Sequence, residues 1–286
     1  MTVMLWLVIL CLCLALCDGQ SQWSETDSRK EPTSFFDFSP QGVAHIGEEF
    51  FIFSGKNLLK KTTQSSNLSS IETIEVNHNP LGELPPELSL RHIGDGDVNG
   101  NILYLPIEGE NYVNPSIALY DTDLHWTGSI IPALNNVHCP WVVWWRDVLL
   151  SSEYDNVFNL TVYNATSFEP LPDVRLGFSN GGTILFPNGL QKVQGGTIVA
   201  EDLGFGSGDV LLLSSADTNQ PLITVNLYFD GGGNLGAGVE NVQYLSTGGE
   251  QEGITSPPDG SLYSVDSHDV YATFKRYEQS TPYSDL

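Results

Sequence analysis

Apolar stretches in this chain are short. From Phe35 onward they run about four to eight residues, mix β-branched, leucine and aromatic side chains, and are cut by Gly, Asn, Asp and Pro, which is the pattern of strands separated by turns. A recurring phrase organises them: a polar residue, usually beside glycine, opens a short apolar strand. The copies are Pro40-Gln41-Gly42-Val43-Ala44, Gly94-Asp95-Gly96-Asp97-Val98, His138-Cys139-Pro140-Trp141-Val142, Val193-Gln194-Gly195-Gly196-Thr197 and Gln251-Glu252-Gly253-Ile254-Thr255. They lie roughly 45–60 residues apart, the period of a propeller blade.

Each copy is followed by a turn and an apolar second strand, at 49–54, 101–108, 147–154, 209–216 and 261–267. Asn99-Gly100, Gly206-Ser207-Gly208 and Asp259-Gly260 suit the positive-φ positions of tight hairpins. Third strands are expected at 57–63, 116–122, 159–165, 222–229 and 270–277, and outer fourth strands at 71–76, 126–131, 168–174 and 239–245. The last unit ends without a fourth strand, and residues 34–38 (SFFDF) can supply it from the N-terminal side. The sequence therefore predicts an all-β propeller of five blades over 34–280, or six if 77–90 or 187–193 holds another. Such closure protects sheet edges. A β-sandwich also accommodates short strands but does not predict a fixed repeat of the opening phrase.

The ends read differently. Residues 1–17 carry no charged side chain, and the apolar run with Ala15-Leu16-Cys17 ahead of Asp18-Gly19 reads as a secretory signal peptide spanning 1–19. The competing reading is a membrane anchor, for which the run is short against the ~20 residues a bilayer requires. Residues 20–33 are polar and read as a flexible lead-in, and 281–286 as a tail. The expected location is secreted and extracellular. Three of the four cysteines fall in the leader, so the mature chain keeps Cys139 and no internal disulfide; a lone cysteine is most often a small buried apolar residue. Asn67, Asn159 and Asn164 each open a glycosylation sequon.

With 11 basic and 35 acidic residues, the net charge is −24. That excludes a nucleic-acid partner, which needs clustered Lys and Arg, and is compatible with calcium, cationic ligands or simple solubility. The acids are scattered, whereas a mineral-templating polyacid would carry them in runs.

In a propeller the innermost strands line the axis, so the repeat maps onto a ring: Gln41, Asp95 with Asp97, His138, Gln194, and Glu252 with Glu250, joined by His92 at the rim. Residues two apart on a strand share a face, so Asp95/Asp97 and Glu250/Glu252 are each expected to project together. Two carboxylates ~4 Å apart repel by about 4 kcal/mol at an effective dielectric of ~20. The ring must then be wet, partly protonated or occupied by a cation, and oxygen ligands from Asp95, Asp97 and Glu252 suit Ca²⁺. The bland alternative is a polar channel whose side chains bond one another. Asp95-Gly96-Asp97-Val98-Asn99-Gly100 opens like a calcium loop, but Pro106 stands where an EF-hand needs an acid. Trp144 and Trp145 are expected to pack between blades, with Trp141 closer to the channel; the alternative for so dense a cluster is a sugar or apolar ligand pocket. Residues 230–238 (DGGGNLGAG) are expected to be a surface loop.

The phrases His92-Ile93-Gly94-Asp95-Gly96-Asp97, 103–108 (LYLPIE), Asn114-Pro115, 118–121 (ALYD), His138-Cys139-Pro140-Trp141, Val193-Gln194-Gly195-Gly196 and Glu252-Gly253-Ile254 together resemble a group of secreted propeller-like proteins without an assigned activity. More loosely, the architecture is similar to the calcium-dependent lactonase and phosphotriesterase propellers. That resemblance implies axial Ca²⁺ held by Glu252, Asp95 and Asp97, while Gln41, His138 and Gln194 depart from the set. Three functions follow as expectations. The first is a binding module for a small molecule, glycan or extracellular protein. The second is a Ca²⁺-dependent hydrolase of lactones, esters or phosphoesters, with the metal as Lewis acid and His138 or Glu252 as base or nucleophile. The third is an acidic matrix or mineral-associated protein.

Overall fold

Strand-forming runs become strands over most of their expected lengths. A computed structural model describes residues 22–32, 40–65, 67–133, 135–180, 183–184, 186–199, 209–217, 221–245, 249–269 and 271–280. The leader, the strand expected at 34–38, the turn at 206–208 and the tail lie outside the described residues. No helix among the described residues is long and apolar enough to cross a membrane.

The first strand is β1 (Gln22–Pro32). A four-stranded sheet follows: β2 (Pro40–Ile46), β3 (Phe50–Gly55), β4 (Leu58–Thr63) and β5 (Thr73–Asn77), in sequence order. In the second sheet β6 (Leu90–Ile93) and β7 (Asp97–Asn99) both pair with β8 (Ile102–Gly109), which continues to β9 (Ser116–Asp121) and β10 (Trp126–Pro132). The third runs β11 (Val143–Trp145), β12 (Val148–Ser151), β13 (Asn159–Asn164) and β14 (Pro170–Gly177). After the small hairpin β15 (Ser179–Asn180) and β16 (Thr183–Ile184) comes the group β17 (Val193–Val199), β18 (Val210–Ser215), β19 (Pro221–Phe229) and β20 (Leu235–Tyr244). A parallel contact between β14 and β20, at Leu176 with Ala237 and Gly177 with Gly238, merges these two groups into one eight-stranded sheet. The last sheet holds β21 (Glu250–Thr255), β22 (Leu262–Ser267) and β23 (Tyr271–Ser280). Asn99-Gly100 makes the expected tight turn, with Asn99 opposite Ile102 and Gly100 at φ 59°.

One expectation is corrected here. Residues 22–32, read as part of a flexible lead-in, form β1, which pairs antiparallel with β23 along its length, from Gln22 opposite Ser280 to Pro32 opposite Tyr271. Its sequence hides this because an outermost strand buries little: only Trp23 is fully buried, and without an apolar face the period-2 signal vanishes. An internal ion pair supports the joint. Lys275 Nζ lies 3.0 Å from the buried Asp266 carboxylate and 3.7 Å from Glu25 of β1.

The sheets face one another through apolar clusters shared by chain neighbours. Ile52 and Leu59 of the first sheet meet Leu103, Leu105 and Ile107 of the second. Ile117 and Leu119 of the second meet Cys139, Leu149 and Tyr163 of the third unit. Leu150, Leu160 and Val162 of the third meet Leu211, Leu213 and Ile223 of the next group. Leu212 and Leu222 meet Ile254, Leu262 and Tyr277 of the last, with Trp23 of β1. Phe51 and Phe53 of the first sheet close against Tyr263 and Phe274 of the last, in edge-to-face contacts with centroids 4.8–5.2 Å apart. The fold is all-β and propeller-like.

Candidate functional site

The repeated phrase has a structural cause. In three of its copies the innermost strand carries a β-bulge at the same place: the register shifts between Pro40 and Gly42, between Val193 and Gly195, and between Gln251 and Gly253. The extra residues are Gln41, Gln194 and Glu252. A bulge re-aims a side chain, and all three line a single cavity of about 810 Å³. The glycine that follows each bulged residue sits where no side chain fits. A Cβ on Gly42 would lie 2.5 Å from Asp95 Cα, one on Gly195 would lie 2.7 Å from Asp95 Oδ2, and one on Gly253 would lie 2.5 Å from Gly42 Cα.

In these three copies the fourth residue offers a backbone N–H, and Asp95 collects them. Its Oδ1 accepts from Val43 N at 2.9 Å, and its Oδ2 accepts from Gly196 N at 3.1 Å and Ile254 N at 3.3 Å. The Asp95 backbone completes the set through a parallel bridge to Trp141: Asp95 N donates to Pro140 O and Val142 N donates to Asp95 O. One residue of the second unit thus contacts the innermost segments of all the other units. Innermost strands are sheet edges whose outward N–H groups lack a ladder partner, and this carboxylate satisfies three of them. Asp95 is fully buried. Burial pushes its carboxyl well above the usual range, and the three backbone donors pull it back.

Asp95 is therefore not a ring residue open to a ligand, which corrects the expectation. Asp97 also turns away: its Oδ2 accepts from Trp144 N at 2.8 Å and its Oδ1 from its own neighbour Val98 N. Burial raises its pKa to about 6, against those two hydrogen bonds. Of the three residues expected to hold calcium, Asp95 and Asp97 have their oxygens on backbone amides, and Glu252 lines the cavity. Among the described residues no group of three His, Cys, Asp or Glu is placed to hold a metal.

The remaining ring residues do assemble. Gln41, His92, His138, Gln194, Glu250 and Glu252 line the cavity together, joined by Lys56, Tyr112, Tyr154, Ser267, His268, Asp269 and Tyr271. Gln194 Nε2 donates to Glu250 Oε1 at 2.9 Å, and the Gln41 amide, whose Nε2 donates to Pro40 O at 2.9 Å, lies beside the Glu252 carboxyl. Glu252 is buried, and its carboxyl is pushed well up by that burial and by Glu250, against Lys56 and Gln41.

His138 is held on every side. Its Nε2 lies 3.0 Å from Oε2 of Glu108, which is 1% exposed, and the other Glu108 oxygen accepts from Cys139 N. Glu153 takes the backbone N–H groups of Val137 and His138 at 2.7 and 2.9 Å. The imidazole lies between the rings of Tyr112 and Tyr154, with centroids 4.1 and 5.1 Å away. Glu108, Tyr112, Tyr154 and Lys56 were not candidates from sequence. Glu108 stands near the far end of β8 and Tyr154 three residues beyond β12, each just past the apolar run of its second strand, and that position is the signal that marks them. Cys139 is buried and its thiol is pushed up to about 12 by burial. The tryptophans pack: Trp141 Nε1 donates to Ser152, and Trp145 donates to Asp209 while stacking on Phe229. Asn67 and Asn159 are exposed, whereas Asn164 is half-buried with its Oδ1 accepting from Thr166 N and Ser167 N.

Burial holds the His92 imidazole down at about 4, with His138 and Lys56 adding to the shift and Glu108 opposing it. Its folded pKa is below its unfolded value of 6.5. The unfolded chain therefore binds the extra proton between those values, and stability is lost as pH falls through the window. His92→Asn should remove this component. The variant is expected to lose about 1–3 kcal/mol less than the wild type on acidification, read from urea midpoints at pH 7 and at pH 4.5. Equal losses in the two proteins would show that His92 is already protonated in the folded state.

No family model and no curated protein matches this chain. Among solved structures, the WD40 β-propeller domain of Doa1 aligns over 89% of this chain and 97% of that domain, at 8% identity and a TM-score of 0.43.

Proposed function

We propose that the chain is a five-bladed β-propeller, closed by β1 on the last sheet, that acts as a binding module for a small polar ligand. The carrying observation is convergence. Bulged side chains from three separate innermost strands (Gln41, Gln194 and Glu252), with His92, His138 and Glu250, open on one cavity of about 810 Å³. That size suits a ligand of a few hundred daltons, and a few converging polar groups in a concave site are what fixes one. The blade count rests on the five shared apolar clusters, the last of which joins the first sheet to the last. The leader and the exposed sequons at Asn67 and Asn159 support a secreted, glycosylated protein that meets its ligand outside the cell.

A thermal-shift screen of a polar metabolite library tests the proposal. A ligand present at 100 times its Kd should stabilise the protein by about 2.7 kcal/mol, and Gln194→Ala and Glu252→Gln should each abolish the shift while keeping the apo melting cooperative. If no compound shifts the wild type, or if the shift survives both substitutions, the cavity is not the ligand site.

A further inference from the structure

The loop over the cavity mouth has an unusual backbone. Asn111, Tyr112 and Asn114 all have positive φ, at 58°, 63° and 53°. Asparagine tolerates that region, but a tyrosine there is a true outlier, and such strain persists only where the surroundings impose it. The clamps are Gly109 N donating to Val113 O at 2.7 Å and Asn114 Nδ2 donating to Leu88 O at 3.3 Å. Their effect is to lay Tyr112 on His138 while leaving it 54% exposed. Of the non-glycine residues with positive φ, Tyr112 alone lines the cavity. The strain thus presents an aromatic ring at the entrance.

The polar groups of the cavity come in pairs. Gln194 with Glu250, and Gln41 with Glu252, each set an amide beside a carboxyl. A pair of this kind offers one donor and one acceptor within a few ångströms, the complement of two neighbouring hydroxyl groups, each of which donates and accepts. The titratable lining holds Lys56 with Glu250, Glu252 and Asp269, and burial raises the Glu252 carboxyl. An aromatic ring with paired amide and carboxyl groups fits an uncharged polyhydroxylated ring, whose apolar face stacks while its hydroxyls both donate and accept.

We infer that the cavity takes a neutral saccharide, its apolar ring face on Tyr112 and its vicinal hydroxyls on the Gln194–Glu250 and Gln41–Glu252 pairs. This rests on the reading of the cavity as a ligand site.

The test is saturation-transfer NMR and calorimetry on the full secreted protein with glucose, galactose, mannose, N-acetylglucosamine, lactose and maltose, and with choline and arginine as cationic probes. At least one sugar should bind. Tyr112→Phe should keep the affinity within about three-fold, and Tyr112→Gly should weaken it about ten-fold or more. Because glycine accepts positive φ without the steric strain a tyrosine carries there, the melting midpoint of Tyr112→Gly should hold or rise, so lost binding is not lost folding. Absence of binding by every sugar overturns the inference, as does unchanged affinity in Tyr112→Gly or a lowered midpoint in that variant. If choline or arginine binds instead, and Gln194→Ala and Glu252→Gln abolish it, the saccharide is overturned and the ligand cavity stands. If no probe responds to any cavity variant, both fall together.

Discussion

Replacing Asp95 with alanine should leave almost no folded protein. The substitution strands three buried N–H groups, those of Val43, Gly196 and Ile254. Each unsatisfied donor costs about 1–3 kcal/mol, so the loss is about 3–9 kcal/mol against a total stability of about 5–15 kcal/mol for a typical domain. Asp95→Asn separates hydrogen bonding from volume. Its amide oxygen can take the Oδ2 position and accept from Gly196 N and Ile254 N, but its NH₂ then faces the Val43 N–H, donor against donor. A loss of about 2–4 kcal/mol is expected, combining one missing charge-assisted bond with one stranded donor. Urea unfolding of both variants provides the measurement. An Asp95→Ala protein as stable as wild type would show that the carboxylate does not hold the units together.

Gly253→Ala is expected to be nearly as damaging for a steric reason. The new methyl group would meet the Asp95 carboxylate and come within 2.5 Å of Gly42 Cα. Neither is the free end of a flexible side chain, so two innermost strands would have to part. Overpacking a tight core costs about 1–3 kcal/mol and more where backbone must move, and here it would also loosen the Asp95 bonds, so about 3–5 kcal/mol is expected. Gly238→Ala is the control, since nothing lies within 4 Å of a Cβ there, and it should stay within about 0.5 kcal/mol of wild type. Denaturant midpoints of the two alanine variants decide the matter; equal midpoints would mean that the axial glycines are replaceable.

Much of this architecture was readable from the chain. The repeat, mapped onto innermost strands, put Gln41, Gln194 and Glu252 on the axis with His138 and Glu250, and these residues line one cavity; the bulge that re-aims the first three, and the glycine it requires, were not read from the pattern. Asp95 and Asp97 were misplaced because alternation was applied where no continuous strand exists. The ladder with β8 breaks between Ile93 and Asp97, where Asp95 bridges Trp141 instead, so the two carboxylates need not share a face. The role of Asp95 depends on donors 52, 101 and 159 residues away, which no local pattern displays. Tyr112 was invisible for another reason: it sits in a single 3₁₀ turn at 110–112, where hydrophobic periodicity carries no information. The strand β1 was missed because an outermost strand in water needs no apolar face.

The seam between β1 and β23 also constrains how the molecule is made. Its partners stand as far apart in sequence as the described chain allows, with Ser280 bonded to Gln22 across 258 residues. Contacts of such separation slow folding, because the entropy of closing the loop is lost before any contact rewards it. During synthesis β1 emerges before every other described strand and lacks its partner until β23 is complete. The nascent polypeptide must therefore carry an unpaired strand edge throughout elongation, and cooperative assembly waits on the C-terminal residues. A fragment lacking β23 would be expected to stay open and prone to edge-to-edge association.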